Sequence, residues 1–127
     1  MGRDFTHEDF LMERLVISSR MAMSNTAVTV VDIEGVLDIN TVGDFEAMLQ
    51  DLFKKKQFKI VLNMEKLTYI SSAGFGVLMS IIKDVRKNRG DIKISNVSSD
   101  IYKVFDLLEL PGLFHILKNE QDAVAEF

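Results

Sequence analysis

The sequence predicts one α/β domain in which a mixed, mostly parallel β-sheet of four to five strands packs against four α-helices. Segments rich in β-branched residues alternate with segments whose apolar residues recur at helical spacing. This alternation is typical of parallel strands joined by right-handed crossovers. The 127 residues suit a single domain, and they contain no internal repeat, linker or low-complexity segment.

Five segments have the composition of strands. The first lies within 15–22 and is predicted to form a hairpin with the β-branched segment 27–33. The apolar segment 58–64 predicts a strand buried on both faces through its centre. A short strand follows at 91–96, and 113–117 predicts an edge strand on which His115 faces outward.

Four segments predict helices. Asn40 and Thr41 offer an N-cap to the first helix, and Ser98, Ser99 or Asp100 offers one to the third. The second is predicted to begin at Phe75 and to end with Gly90 in the C′ position, and a short terminal helix is expected from Glu120 onward. The predicted buried stripes are Phe45, Met48, Leu49, Leu52 and Phe53 in the first helix, Phe75, Leu78, Met79, Ile82 and Val85 in the second, and Ile101, Val104, Phe105 and Leu108 in the third.

Composition restricts the class of protein. The net charge of −4 argues against a dedicated nucleic-acid binder, and the lack of cysteine excludes disulfides and thiol chemistry. The longest apolar runs are far below the ~20 residues that cross a bilayer, and no signal peptide is recognised. We therefore expect a soluble, cytoplasmic protein.

The first residues differ in pattern from the rest. Residues 1–13 are expected to be an N-terminal extension, favoured slightly as a partly ordered tail, with the domain at 14–127. Phe5, Phe10, Leu11 and Leu15 could form one side of a short helix that packs on the domain or on a second copy. A homodimer is therefore an open expectation.

The residues do not favour catalysis. A zinc site needs three or four converging ligands, whereas the chain has no cysteine and only His7 and His115 at its opposite ends. A triad of Ser71 or Ser72 with His115 lacks the G-x-S-x-G elbow, and no complete phosphate-binding glycine motif is present. We expect no enzyme activity, cofactor or metal.

Two adjacent hydroxyls and a glycine lie between the strand at 58–64 and the second helix. From local chemistry alone, Ser71 or Ser72 is first of all a candidate N-cap. Alternatively, one hydroxyl is displayed at the sheet edge and can be phosphorylated, which adds about −1.5 to −2 charges. One serine can serve both roles.

Three segments carry a family resemblance. Residues 70–78 resemble the signature of the STAS domain, named for sulfate transporters and anti-sigma factor antagonists, which reads apolar, Asp, Ser, Ser or Thr, Gly, Leu, Gly, any residue, Leu. Residues 35–38 are similar to the family's Gly-x-Leu-Asp turn, and 107–113 to its Leu-x-x-x-Gly-Leu segment. Their order and spacing match the family over roughly residues 15 to 125.

The resemblance implies an anti-sigma factor antagonist that switches partners. Aligned on Gly74, the family's phosphorylated serine is Ser72; Ser71 stands where Asp is usual, and Ala73 replaces the second Ser or Thr. The implied partners are an anti-sigma factor that is also a serine kinase, and an opposing phosphatase, without direct contact to nucleic acid or membrane. The implied partner-binding residues are Asp38, Ser71, Ser72, Ala73, Gly74, Phe75 and Gly76.

Alternatives remain open at this stage. Because Ser71 replaces the family's Asp, Ser71 could be the acceptor instead of Ser72, or neither serine is modified. In the last case the chain would be a STAS scaffold or a ligand-sensing module. The cytosolic part of an anion transporter and a small hydrolase using Ser72 are the other readings.

Overall fold

A five-stranded sheet organises residues 15–127, the part of the chain that the computed structural model describes. The strands lie in chain order, and β1 pairs antiparallel with β2 while all other neighbours are parallel. The predicted fold class and hairpin are thus confirmed. The predicted N-terminal extension lies outside the described residues, but Leu15, which was placed on the apolar side of its short helix, is the first residue of β1. The strands are Leu15–Met21 (β1), Thr29–Leu37 (β2), Lys59–Ile70 (β3), Asp91–Ser95 (β4) and His115–Leu117 (β5).

Helices cover both faces of the sheet. They are Val42–Lys54 (α1), Ser72–Lys87 (α2), Ser99–Leu107 (α3) and Glu120–Ala125 (α4), with a 3-10 turn at Leu110–Gly112 after α3. The apolar faces of α1, α2 and α3 share the main core with one face of the sheet. Helix α4 packs on the other face.

The core follows from strand alternation. In β2 and β3, Val31 and Leu62 face the main cluster, whereas Val30 and Val61 face a smaller cluster under α4. All four are fully buried, as the sequence of β3 predicted for a central strand. The two-sided burial fixes the register, because a slip of one residue would exchange the faces.

A polar network fastens α4 to the sheet. The Arg20 guanidinium contacts Asp32 at 2.8 Å and Glu120, on α4, at 2.6 Å. Asn63 Nδ2 donates to Asp32 Oδ1 at 2.8 Å. The network therefore joins β1, β2, β3 and α4 on one face.

Two strands are longer than predicted. Strand β2 continues to Leu37 and β3 to Ile70, beyond the predicted ends at residues 33 and 64. Their parallel pairing passes through two register shifts, so that polar residues of β3 remain in the ladder. Thr68 Oγ1 donates to the Gly35 carbonyl at 2.9 Å, which supports this extension. Backbone pairing, rather than apolar alternation, defines the strand ends.

Several helix predictions were wrong in detail. Helix α2 begins at Ser72, three residues before Phe75, and Met79 is 46% exposed. Val104 in α3 and Leu108, the C-cap residue after it, are 40% and 50% exposed, and the buried residues of α3 are Ile101 and Phe105.

The end of α2 also differs from the prediction. Arg89, with φ of 64°, adopts the left-handed conformation that was expected of Gly90. Gly90 is instead packed on Phe58, where an added Cβ would lie 2.0 Å from the carbonyl oxygen. This glycine therefore provides space rather than backbone freedom.

Candidate functional site

The candidate site lies at the carboxyl ends of β2 and β3, where α2 begins. Leu37 and Ile70 form the last pair of the two strands, and the Ser71 N–H donates to the Leu37 carbonyl at 2.9 Å. Asp38 and Ser72 follow directly after these joined residues. The structure thus brings the loop after β2 and the first turn of α2 together at one edge of the sheet.

The two serines differ in accessibility. Ser71 is the N-cap residue of α2, in extended conformation, but its side chain makes no capping hydrogen bond. Its Oγ is buried and has no hydrogen-bond partner in the described chain. Ser72, the first helical residue, is exposed. A second protein can therefore reach the Ser72 hydroxyl far more easily than that of Ser71.

The next residues of the signature face inward. A Cβ on Gly74 would lie 2.7 Å from Ile70 Cγ1 and 3.1 Å from the Leu37 carbonyl oxygen. Phe75 is 5% exposed, and its ring contacts Phe105 edge-to-face with centroids 5.2 Å apart. Phe75 is therefore buried, as its position in the predicted stripe of this helix required, and its contact with a partner stays a prediction. The close approach at Gly74 is to the chain's own strands, and both residues seat the helix that carries Ser72.

One side of α2 forms an exposed ridge at its start. Ser72, Gly76 and Met79 are exposed at positions i, i+4 and i+7 of α2, so they share one side of the helix. Ala73 is half-buried beside them. Ile39, in the loop after β2, is 73% exposed. Sequence analysis missed Ile39, although an apolar residue between Asp38 and Asn40 in a polar turn was a usable signal.

Asp38 organises its own loop. Its Oδ1 accepts from the Asn40 N–H at 2.9 Å, and its N–H donates to Thr41 Oγ1 at 2.9 Å. The Thr41 hydroxyl in turn donates to the Val36 carbonyl at 2.9 Å. Thr41 is the N-cap residue of α1, as predicted, but its hydroxyl bonds to the end of β2 instead of to the helix. The turn-stabilising role of Asp38 is thus present, and its contact with a partner stays a prediction.

The electrostatics at the start of α2 favour an anion. The first turn contains no acidic residue, and no side chain caps it. The first N–H groups of a helix lack intrahelical partners, and the helix dipole places partial positive charge there. A phosphate on Ser72 would therefore meet favourable N–H groups in the isolated domain.

His115 lies far from the two serines of the candidate site. By strand register His115 is level with Val61, nine positions before the end of β3, which at ~3.3 Å per residue is roughly 30 Å from Ser72. As predicted, His115 is exposed, and its Nδ1 lies 3.1 Å from Glu126 Oε1. Residues 15–127 contain no group of three or more His, Cys, Asp or Glu suited to a metal ion. No helix in the same range is long and apolar enough to span a membrane.

Fold and site together define a STAS domain. The STAS family model matches residues 20–123, most of the chain, and the chain therefore belongs to this family. The matched range contains every residue of the candidate site, the strands β2 to β5 and the last two residues of β1. The resemblance read from the three sequence segments is confirmed.

Several relatives are anti-sigma factor antagonists by name. The anti-sigma-B factor antagonist of Staphylococcus aureus is 29% identical over 86 residues, which cover 68% of this chain and 80% of that protein. BtrV of Bordetella bronchiseptica, provisionally named an anti-sigma factor antagonist, is 26% identical over 95 residues, covering 75% and 82%.

Solved structures of such antagonists share the fold. The antagonist from Mycobacterium paratuberculosis superposes with a TM-score of 0.79 at 16% identity, covering 90% of this chain and 94% of that one. The Bacillus protein SpoIIAA in its phosphorylated form gives a TM-score of 0.64 at 21% identity, covering 86% and 98%. At these identities the superpositions establish the fold.

Proposed function

We propose that this protein is an anti-sigma factor antagonist that binds an anti-sigma factor with serine kinase activity, and that phosphorylation of Ser72 releases it. The observation that carries the proposal is the contrast between the exposed Ser72 and the buried hydroxyl of Ser71 at one helix start. This contrast supports Ser72 as the acceptor, although Ser71 replaces the family's usual Asp.

The chemistry of the switch is a phosphoryl transfer performed by the partner. The Ser72 Oγ forms a bond to the γ-phosphorus of ATP, the bond between that phosphorus and ADP breaks, and the hydroxyl proton passes to a base of the kinase. The product gains about −1.5 to −2 charges at the start of α2. An opposing phosphatase hydrolyses the ester and restores the hydroxyl.

Release follows from the position of this charge. In the isolated domain, the N–H groups of the first turn stabilise the phosphate, so the fold tolerates it. In a close interface the same phosphate loses water or meets like charge, and both effects oppose binding. A loss of ~3 kcal/mol weakens binding by more than a hundredfold. The domain need not refold for the partner to leave.

The exposed ridge of α2 and the loop after β2 provide the contact surface. Ile39, in the loop after β2, and Met79, on the same side of α2 as Ser72, are large apolar side chains that are 73% and 46% exposed. Exposed apolar side chains grouped around a polar centre are typical of protein–protein contacts. Gly76 lies between Ser72 and Met79 on α2 and lets a partner approach the helix backbone there.

The test compares three baits: unmodified protein, Ser72→Glu and the control Ser80→Glu, which adds the same charge at another exposed position of α2. Captured proteins are identified by mass spectrometry. We expect the unmodified and Ser80→Glu baits to retain one ATP-dependent kinase, and Ser72→Glu to retain much less of it. The captured kinase is then incubated with the antagonist and ATP, and phosphate is counted by intact mass.

The expected result of that incubation is one phosphate on the unmodified protein and none on Ser72→Ala. Ser72→Ala should still bind the kinase, because the alanine adds no charge. Equal labelling of Ser72→Ala would refute the site, and Ser71→Ala would be examined next. A non-phosphorylated scaffold or ligand sensor would gain no phosphate in any variant. This outcome distinguishes such a module from an antagonist that is released by phosphorylation.

A further inference from the structure

A groove of about 490 Å³ lies between α3 and β5. Strand β4 ends at Ser95, which pairs with Leu117 at the end of β5. A left-handed turn at Asn96, with φ of 61°, leads from β4 into α3. The groove thus lies where the carboxyl ends of two parallel strands meet the first turns of a helix, and α/β sheets commonly bind ligands outside the carboxyl ends of their strands.

The lining of this groove is mainly apolar. Val97 and Ile116 are partly buried and pack against the main core, whereas Leu117 packs against the smaller cluster under α4. Tyr102, on α3, also lines the groove and is 40% exposed. Grooves of about 300–1,000 Å³ that are lined by apolar and aromatic side chains and a few polar groups are typical of small-molecule sites. An apolar chain in this groove would therefore shield these four side chains from water.

Two lysines make the same groove positively charged. Lys103, on α3, and Lys118, directly after β5, both line it, and no acidic residue of the described chain does. Within residues 15–127 neither ammonium group has an ion-pair partner. Glu120, two residues after Lys118, is held by Arg20 at 2.6 Å instead. Although the chain has a net charge of −4, this groove therefore attracts an anion and repels a cation.

We propose that this groove binds a free anionic amphiphile of the fatty-acid class, whose chain covers the apolar lining and whose carboxylate pairs with Lys103 and Lys118. The Ser99 hydroxyl, which also lines the groove, can donate a hydrogen bond to the same carboxylate. A small polar anion would leave the apolar lining exposed, and an uncharged lipid would leave both lysines without a counter-charge. An amphiphile satisfies both parts of the groove.

The shape of the site favours one bound molecule over a membrane surface. The apolar side chains line a groove between α3 and β5, whereas a protein that lies on a bilayer inserts a protruding apolar face. The site does not include Ser72, so the inference is independent of the proposed phosphorylation and its test needs no kinase.

Titration of the full chain with laurate tests the site, with the backbone amide chemical shifts as the readout. We expect saturable binding of one molecule below about 1 mM laurate, with the largest shifts at Val97, Ser99, Ile116 and Leu117. Octanoate should bind at least about tenfold more weakly, because its shorter chain covers less apolar surface. Lauryl alcohol, which lacks the charge, should also bind more weakly, and dodecyltrimethylammonium should not shift these amides.

Charge-neutral variants separate the role of the lysines from that of the apolar lining. Lys103→Gln and Lys118→Gln should each weaken laurate binding about 2–5-fold and leave the binding of lauryl alcohol unchanged. The matched control is Lys87→Gln, which removes an exposed lysine at the end of α2 and should bind laurate like the unmodified protein.

Four results would overturn the proposal. They are the absence of saturable shifts up to about 1 mM laurate, shifts centred outside the groove, equal weakening in Lys87→Gln, and equal binding of dodecyltrimethylammonium. Cosedimentation of the protein with phosphatidylglycerol vesicles, without binding of free laurate, would likewise contradict it and assign the lysines to a membrane surface.

Discussion

Replacement of Gly74 and of Gly76 by alanine should change the unfolding free energy in opposite directions, although both glycines lie in the first turns of α2. An added Cβ at Gly74 would lie 2.7 Å from Ile70 Cγ1 and 3.1 Å from the Leu37 carbonyl oxygen, whereas nothing lies within 4 Å of one at Gly76. Overpacking of this kind costs about 1–3 kcal/mol, offset by at most ~1 kcal/mol of helix propensity. Gly76→Ala gains about 0.5–1 kcal/mol because alanine restricts the unfolded chain.

The difference between the two variants should therefore be about 2 kcal/mol. For a domain of this size it corresponds to about 6–10 °C in melting temperature. Urea titration monitored by circular dichroism measures both unfolding free energies on one scale, with the unmodified protein as reference. If Gly74→Ala proved as stable as Gly76→Ala, the seating of α2 on the ends of β2 and β3 would be refuted.

Three further substitutions have defined outcomes. Ser71→Ala should change the unfolding free energy by less than ~0.5 kcal/mol, because the Ser71 hydroxyl makes no hydrogen bond. Ser98→Ala should cost ~1 kcal/mol, because it removes the capping hydrogen bond that the Ile101 N–H donates to the Ser98 hydroxyl. Equal losses for the two variants in urea titration would contradict this contrast. The pKa of Asp32 lies below its ordinary value. Burial alone would raise this pKa, but the hydrogen bonds from Arg20 and Asn63 lower it by more. The unfolded state then binds the proton more tightly, and stability falls as pH drops from about 5 towards 3. Asp32→Asn should therefore make the unfolding free energy less dependent on pH in this range, as measured by unfolding titrations at several pH values. An unchanged pH dependence in Asp32→Asn would contradict the lowered pKa. Gly90→Ala should cost at least ~3 kcal/mol, because its Cβ would meet the Phe58 carbonyl oxygen at 2.0 Å; a stable variant in thermal unfolding would show that the loop between α2 and β4 yields.

The elements of the fold could be predicted because their apolar residues are periodic. Their ends could not, since other interactions decide them. The segment from Ser72 to Gly74 consists of small residues that carry no periodic signal, so the start of α2 was placed at Phe75. The last six residues of β3 alternate irregularly between polar side chains and the buried Leu67 and Ile70, and their pairing with β2 keeps them in the sheet.

The sequence predicted which residues make up the candidate site, and the structure shows how their side chains are oriented. The family signature singled out Ser72 as the candidate phosphoacceptor, whereas only packing shows that the Ser71 hydroxyl is buried and that the Phe75 ring contacts Phe105. Val104 and Met79 obey helical periodicity but have no opposing surface within the described chain, so they remain exposed. Periodicity reports which residues can share a face, and tertiary contacts decide whether that face is covered.

The contact between Phe75 and Phe105 has a consequence for synthesis on the ribosome. Every strand pairs with its neighbour along the chain, so the hydrogen bonds that bring Asp38 and Ser72 together involve no residue after Lys87. Phe105, however, is synthesised later, and until it leaves the ribosome the Phe75 ring in the first turn of α2 lacks its contact with the Phe105 ring. On the proposed function, we expect a nascent chain to become a good substrate of the partner kinase only when α3 has left the exit tunnel, so that the proposed phosphorylation would act on finished molecules.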